Sequence, residues 1–96
     1  MADKLRLILN KENFDRFSEE NGKYYLDVHG LKVYEAKSLI KNVGAFIEPG
    51  NSLIIIHGYI HGTAIKDMLS QKCLFNRKHT VENNVFNQGR TNICFV

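Results

Sequence analysis

Two short apolar runs in this chain stop on the same pair of residues. Leu26-Asp27-Val28 ends at His29-Gly30, and Leu53-Ile54-Ile55-Ile56 ends at His57-Gly58. Between them Ala36, Leu39, Ile40, Val43, Phe46 and Ile47 recur at the spacing of a helix with one buried side. A strand, a helix and a second strand in this order predict a parallel pair joined by a crossover. Both His-Gly stops then fall at the carboxyl ends of neighbouring strands, where open α/β sheets build their ligand crevices. Three of the four histidines precede a glycine, since His61-Gly62 follows shortly after.

The remaining segments extend this frame. Leu5, Leu7 and Leu9 alternate as in a short strand or extended arm, and Asn10 to Glu20 reads as a helix, with Phe14 and Phe17 three apart and Gly22 as a stop. Tyr24 to His29 is the first strand of the crossover unit. Pro49-Gly50-Asn51 ends its helix, and Ser52 to His57 forms the second strand, whose unalternating apolar run implies burial on both faces. Thr63 is placed to cap a second helix carrying Ile65, Met68 and Leu69 on one stripe. Thr80 to Phe86 and Arg90 to Val96 read as a hairpin over Asn87-Gln88-Gly89. The expected fold is α/β, a mixed sheet in the order β-α-β-α-β-β with helices against it. Residues 1–23 form an N-terminal extension to a domain spanning 24–96.

The chain has 96 residues, enough for one domain. No apolar run approaches the length of a membrane span, so no membrane partner is expected. Met1-Ala2-Asp3-Lys4 leads into a charged alternating segment, unlike a secretory signal, and cytoplasm is the expected compartment. Cys73 and Cys94 lack metal-knuckle spacing and read as buried free thiols. Charge is unevenly distributed: residues 1–31 hold five Lys/Arg against six Asp/Glu, and residues 32–96 hold eight against four. Lys66, Lys72, Arg77, Lys78 and Arg90 carry the surplus, which suits a polyanion such as nucleic acid and is also the ordinary make-up of a solvated face.

The chemistry converges on the strand ends. Asp27 and His29, two apart in a strand, leave the same face, and a carboxylate beside an imidazole fixes its tautomer for acid–base work. His57 would lie beside them. Gly58 and Gly62 permit close backbone approach, and the following helix start offers free N–H groups to a phosphate, with Lys66 on its first turn. Each residue also has a structural reading: Asp27 as an acceptor for loop backbone, His29 and His57 as satisfied strand-end residues, His61 as an exposed loop tip. No zinc-ligand spacing, activated Ser or Cys nucleophile, or full dinucleotide or P-loop signature is present.

Together these residues resemble the small MutS-related (Smr) domain. Its L-D-x-H motif is matched by Leu26-Asp27-Val28-His29, and its G-L-x-x-x-E-A helix start by Gly30-Leu31-Lys32-Val33-Tyr34-Glu35-Ala36. Its H/T-G-x-G turn is matched by His57-Gly58-Tyr59-Ile60, and its final G-x-T hairpin strand by Gly89-Arg90-Thr91 through Val96. The resemblance covers residues 24–96 and implies a two-layer sandwich similar to the C-terminal domain of translation initiation factor three. It further implies nucleic-acid binding, with DNA-nicking or ribonuclease activity in several members, and assigns cleavage to Asp27, His29, His57 and Gly58. Ile60 departs from the pattern where the turn has its second glycine. Isoleucine disfavours positive φ, so the departure weakens the case for cleavage more than that for binding.

The resulting expectation is a nucleic-acid-binding domain, of DNA or RNA, with weak endonuclease activity. Asp27, His29 and His57 would be catalytic. Gly58, His61, Gly62, Thr63, Lys66, Arg77, Lys78 and Arg90 would hold the phosphate backbone. A divalent cation, Mg²⁺ or Mn²⁺, is compatible with Asp27. The alternatives are a binding module without catalysis and a protein-interaction module.

Overall fold

The computed structural model describes residues 11–21, 23–58, 64–71, 74–75, 77–83 and 89–96. Helix α1 spans Lys11–Asp15, α2 Val33–Gly44 and α3 Ala64–Leu69. Strands β1 (Phe17–Glu20), β2 (Lys23–Asp27), β3 (Ser52–Ile56), β4 (His79–Asn83) and β5 (Arg90–Phe95) form one mixed sheet in the order β1-β2-β3-β5-β4. The β2–β3 pair is parallel and the other three pairs are antiparallel.

The helices pack on one side of the sheet. Phe17, Tyr24, Leu26, Leu53, Ile55, Ile93 and Phe95 alternate inward from the strands and share a cluster with Ala36, Leu39, Ile40 and Val43 of α2 and Met68 and Leu69 of α3. Ile54 points to the opposite face and is still buried, as the unalternating run of β3 predicts. Side chains at the α2 spacing bury Ala36, Leu39, Ile40, Val43 and Gly44 and leave Tyr34, Ser38 and Lys41 in solvent. Glu35 Oε1 accepts from the Lys32 backbone N–H at 3.2 Å, securing the first turn.

The start of the chain differs from its sequence reading. The helix covers Lys11–Asp15 instead of continuing to Glu20, and Phe17–Glu20 is an edge strand paired antiparallel with β2. Asn21 adopts φ 53° at the reversal, as two-residue hairpin turns demand. Phe17 stacks on Tyr24 with ring centroids 5.8 Å apart, and both rings join the same hydrophobic core, so this edge strand is packed with β2. The Leu5 to Asn10 alternation lies outside the described residues. So do Cys73 and most of the β4–β5 connection. Cys94 is a free thiol, half-buried instead of fully buried, and accepts from the Ser52 hydroxyl at 3.4 Å.

At the amino ends of the parallel pair, Phe75 packs edge-on against Phe95 at 5.1 Å and against His79 at 4.9 Å. Among the described residues no helix is long and apolar enough to cross a membrane.

Candidate functional site

Three chain reversals meet at the carboxyl ends of β2 and β3. Asp27 pairs in register with Ile56, and the Val28 N–H donates to the Ile56 carbonyl at 2.9 Å, extending the ladder one step past β2. The chain then turns through Val28–Leu31, closed by the Leu31 N–H on the Val28 carbonyl at 3.2 Å. Gly30 occupies the third position with φ 80°, the conformation a type II turn requires there. Gly58 follows β3 with φ 74°. A Cβ on Gly58 would meet the His29 Cβ at 3.8 Å, ordinary contact, so backbone conformation and not space selects glycine. The Gly89 carbonyl ties in the third reversal, accepting from the His57 N–H at 2.9 Å and the Gly58 N–H at 3.0 Å.

Asp27 and His29 form the exposed pair of this corner. Asp27 Oδ1 accepts the His29 backbone N–H at 3.1 Å and also contacts His29 Nδ1. The backbone contact is the one the structural reading of Asp27 needs, and the ring contact is the one an acid–base role would need; a single oxygen makes both. A carboxylate oxygen accepts, so Nδ1 carries the proton and Nε2 is the remaining basic nitrogen. The side chains are 66% exposed for His29 and 37% for Asp27, leaving the imidazole open to solvent.

His57 is placed differently. It continues the inward alternation of Leu53 and Ile55 and is buried on the helix side of the sheet. Its Nδ1 donates to the Gly58 carbonyl at 2.7 Å, and its Nε2 bonds the buried Thr91 hydroxyl at 2.8 Å. Both ring nitrogens are thus used within the protein. The parallel pairing brings His57 and His29 to adjacent strand ends, as the sequence predicts, yet the pleat sends them to opposite sides.

The basic residues divide between the two ends of the strands. Arg90 is in register with Ile56, itself in register with Asp27, so Arg90 shares the row and the face of the candidate dyad. Arg77 and Lys78 sit at the other end. Arg77 Nη1 donates to the Gly44 carbonyl at 3.2 Å and to the Ile47 carbonyl, with its guanidinium 4.4 Å from the centre of the Phe95 ring. Lys78 is exposed, and its carbonyl accepts from the Val96 N–H at 3.3 Å. Lys66 is the third residue of α3 and half-buried. His61, Gly62 and Thr63 lie outside the described residues.

Sequence reasoning passed over three participants. Arg16 precedes β1, where its carbonyl accepts the Asp27 N–H at 2.9 Å and its Nη1 donates to the Asp27 carbonyl at 3.2 Å. It thereby brings a second guanidinium to the strand end opposite Arg90. Thr91 is the polar member of an inward series with Ile93 and Phe95, a pattern that signals a buried hydroxyl needing a partner. Gly89 supplies the carbonyl that joins the reversals. Among the described residues no group of three or more His, Cys, Asp and Glu could hold a metal ion.

Comparison of the chain with protein-family models, with curated proteins and with solved structures returned no match in any of the three.

Proposed function

We propose that this protein is a nucleic-acid-binding domain, Smr-like in its motifs, that cleaves phosphodiester bonds slowly at the Asp27–His29 corner. The observation that carries the reading is the exposed His29 imidazole held at Nδ1 by Asp27 beside the positive-φ backbone of Gly58. In the proposed reaction Nε2 takes the proton of an attacking water as its oxygen bonds to phosphorus. The P–O bond to the leaving oxygen breaks, and that oxygen takes a proton from solvent. Asp27 stabilises the imidazolium formed at His29. Proton transfer of this kind contributes about 10²–10⁴ in rate, which sets the expectation of slow turnover.

Phosphate is held by Arg90 on the same row; Arg16, on the other side of Asp27, is assigned to the Asp27 carbonyl and the Glu12 carboxylate 4.0 Å from its Nη2. His57 is assigned a positioning role: it fixes the Gly58 carbonyl and the start of β5, and with both nitrogens engaged it is not the proton donor of this mechanism. Arg77 is assigned to the structural contacts at the far end.

The test is incubation of the pure protein with labelled single-stranded RNA, duplex DNA and supercoiled plasmid, in Mg²⁺, Mn²⁺ or EDTA, beside the Asp27→Ala/His29→Ala double variant. Cleavage by the wild type alone supports the enzyme and names its substrate. Binding without cleavage makes the domain a binding module. Absence of both overturns the reading in favour of a protein partner.

A further inference from the structure

The exposed face of α2 is not used by the fold. Tyr34, in the first helical turn, leaves 69% of its surface in solvent. Ser38 and Lys41 follow it at four- and seven-residue spacing on one face, with Lys37 beside them. Ser38 and Lys41 are exposed and Lys37 is half-buried. The one carboxylate of the helix, Glu35, is exposed about 100° around the helix from Tyr34 and accepts from the Lys32 N–H. Lys32 itself is exposed at the helix start. The face therefore joins Lys37 and Lys41 with a bare phenol ring, while Lys32 and Glu35 lie together off it at the helix start.

We infer that this face binds single-stranded nucleic acid, with Tyr34 stacking a base and Lys37 and Lys41 contacting phosphates. The inference rests on the nucleic-acid reading above and specifies its substrate. Tyr34 lies five residues beyond His29, so their Cα atoms are at most about 18 Å apart. Lys37 and Lys41 stand one turn apart, about 6 Å along the helix, forming a line of positive charge that leads away from the ring. Charge complementarity favours a polyanion, and the ring narrows the choice. An aromatic side chain can stack only on a base whose face is free, which single strands offer and duplexes do not. The positive end of the α2 dipole adds to the attraction at the same turn.

The experiment is fluorescence anisotropy of a labelled oligonucleotide, single-stranded and as a duplex, titrated with the full chain at several salt concentrations. The wild type is expected to prefer the single strand. Tyr34→Ala weakens binding by about five- to 150-fold, the range for loss of one base stack, and Tyr34→Phe restores it. Lys37→Gln/Lys41→Gln lowers the salt slope by about 1.4, for two lost contacts to a single strand. These side chains project from a solvated face, so unchanged melting temperatures are expected and separate binding from folding. Single-strand binding that ignores all of these substitutions overturns the inference while leaving the nucleic-acid reading standing. A duplex preference overturns it in the same way, and absence of any binding overturns both.

Discussion

His57 Nε2 lies 2.8 Å from the Thr91 hydroxyl, a buried bond between the loop leaving β3 and the second residue of β5. The partner at the other ring nitrogen decides the tautomer. The Gly58 carbonyl can only accept, so Nδ1 bears the proton, and in the neutral ring Nε2 accepts from Thr91. A ¹⁵N–¹H correlation spectrum of the imidazoles should show His57 protonated at Nδ1. His57→Ala removes both bonds from a buried site and should cost about 2 kcal/mol, which lowers the melting temperature by about 10 °C in a domain of this size. A variant melting with the wild type would remove His57 from its positioning role.

The Asp27–His29 pair predicts the opposite balance of effects. Both side chains reach solvent, so His29→Ala should change stability by no more than about 0.5 kcal/mol. If Nε2 is the base, cleavage should fall about 10²- to 10⁴-fold with binding held within a few-fold. Asp27→Asn presents an amide where Nδ1 had a carboxylate, and a loss of comparable size is expected from the lost orientation and charge. Single-turnover cleavage beside an anisotropy titration separates the two effects. Equal losses of binding and cleavage would make the pair a binding determinant.

The crossover unit was legible because its signals are local. The apolar period of α2, the Pro49-Gly50 stop and the run in β3 each report one element, and the parallel β2–β3 pair follows from their order. The first hairpin departs from the helix that the sequence pattern suggests, although Asn21-Gly22 is a strong two-residue turn signal between Phe17–Glu20 and Lys23–Asp27. The Phe14–Phe17 spacing imitates a helix, but Phe17 is buried by its inward position in β1, through pairing that helix periodicity does not report. At the site, chain spacing placed His29 and His57 at adjacent strand ends, whereas side-chain direction depends on the pleat. Phase along β3 sends His57 inward with Leu53 and Ile55, and Asp27 lies on the other side. Arg77 illustrates the limit of charge reasoning. Its guanidinium serves the end of α2 and the Phe95 ring, contacts that only the tertiary structure creates.

Arg77 and Arg90 should therefore separate in experiment. Arg77→Ala forfeits charge-assisted bonds to the carbonyls that close α2 and the contact with Phe95, at a cost of about 2 kcal/mol, with nucleic-acid affinity retained. Arg90→Ala should leave melting nearly unchanged and weaken binding, reducing the salt slope by about 0.7 for a single strand. Thermal melts and salt-dependent titrations of the two variants supply the comparison. Reduced affinity without destabilisation in the Arg77 variant would return that residue to the binding surface.

Gly44 makes a packing prediction. At the last position of α2 a methyl group would collide with the side chain of Phe75, itself held edge-on by Phe95 and His79. Gly44→Ala gains helix propensity worth up to about 1 kcal/mol, yet the collision forces a buried ring to shift, typically at about 1–3 kcal/mol. Net destabilisation is expected by chemical denaturation. Phe75→Leu in the same background should recover part of it by opening space, whereas Phe75→Leu alone destabilises. Stabilisation by Gly44→Ala would show that the ring yields freely.

Tyr24 carries the pH prediction. Burial is the main cause that raises its phenol above the usual value near 10, and the nearby carboxylates of Glu19 and Glu48 push in the same direction by opposing a second negative charge. The neutral phenol is thus favoured in the folded protein. Its contribution to stability is fully present below the unfolded value and is lost as pH rises through the folded one. Stability should fall with increasing pH in the alkaline range above about 10, where the folded state holds a proton that the unfolded chain releases. The difference in ultraviolet absorbance of ionised phenol between the wild type and Tyr24→Phe should show one step above the usual phenol range. Tyr24→Phe preserves the stack on Phe17, removes that step and flattens the alkaline loss of stability. A difference step within the ordinary phenol range, with the fold intact, would contradict the burial of Tyr24 in the β1–β2 hairpin.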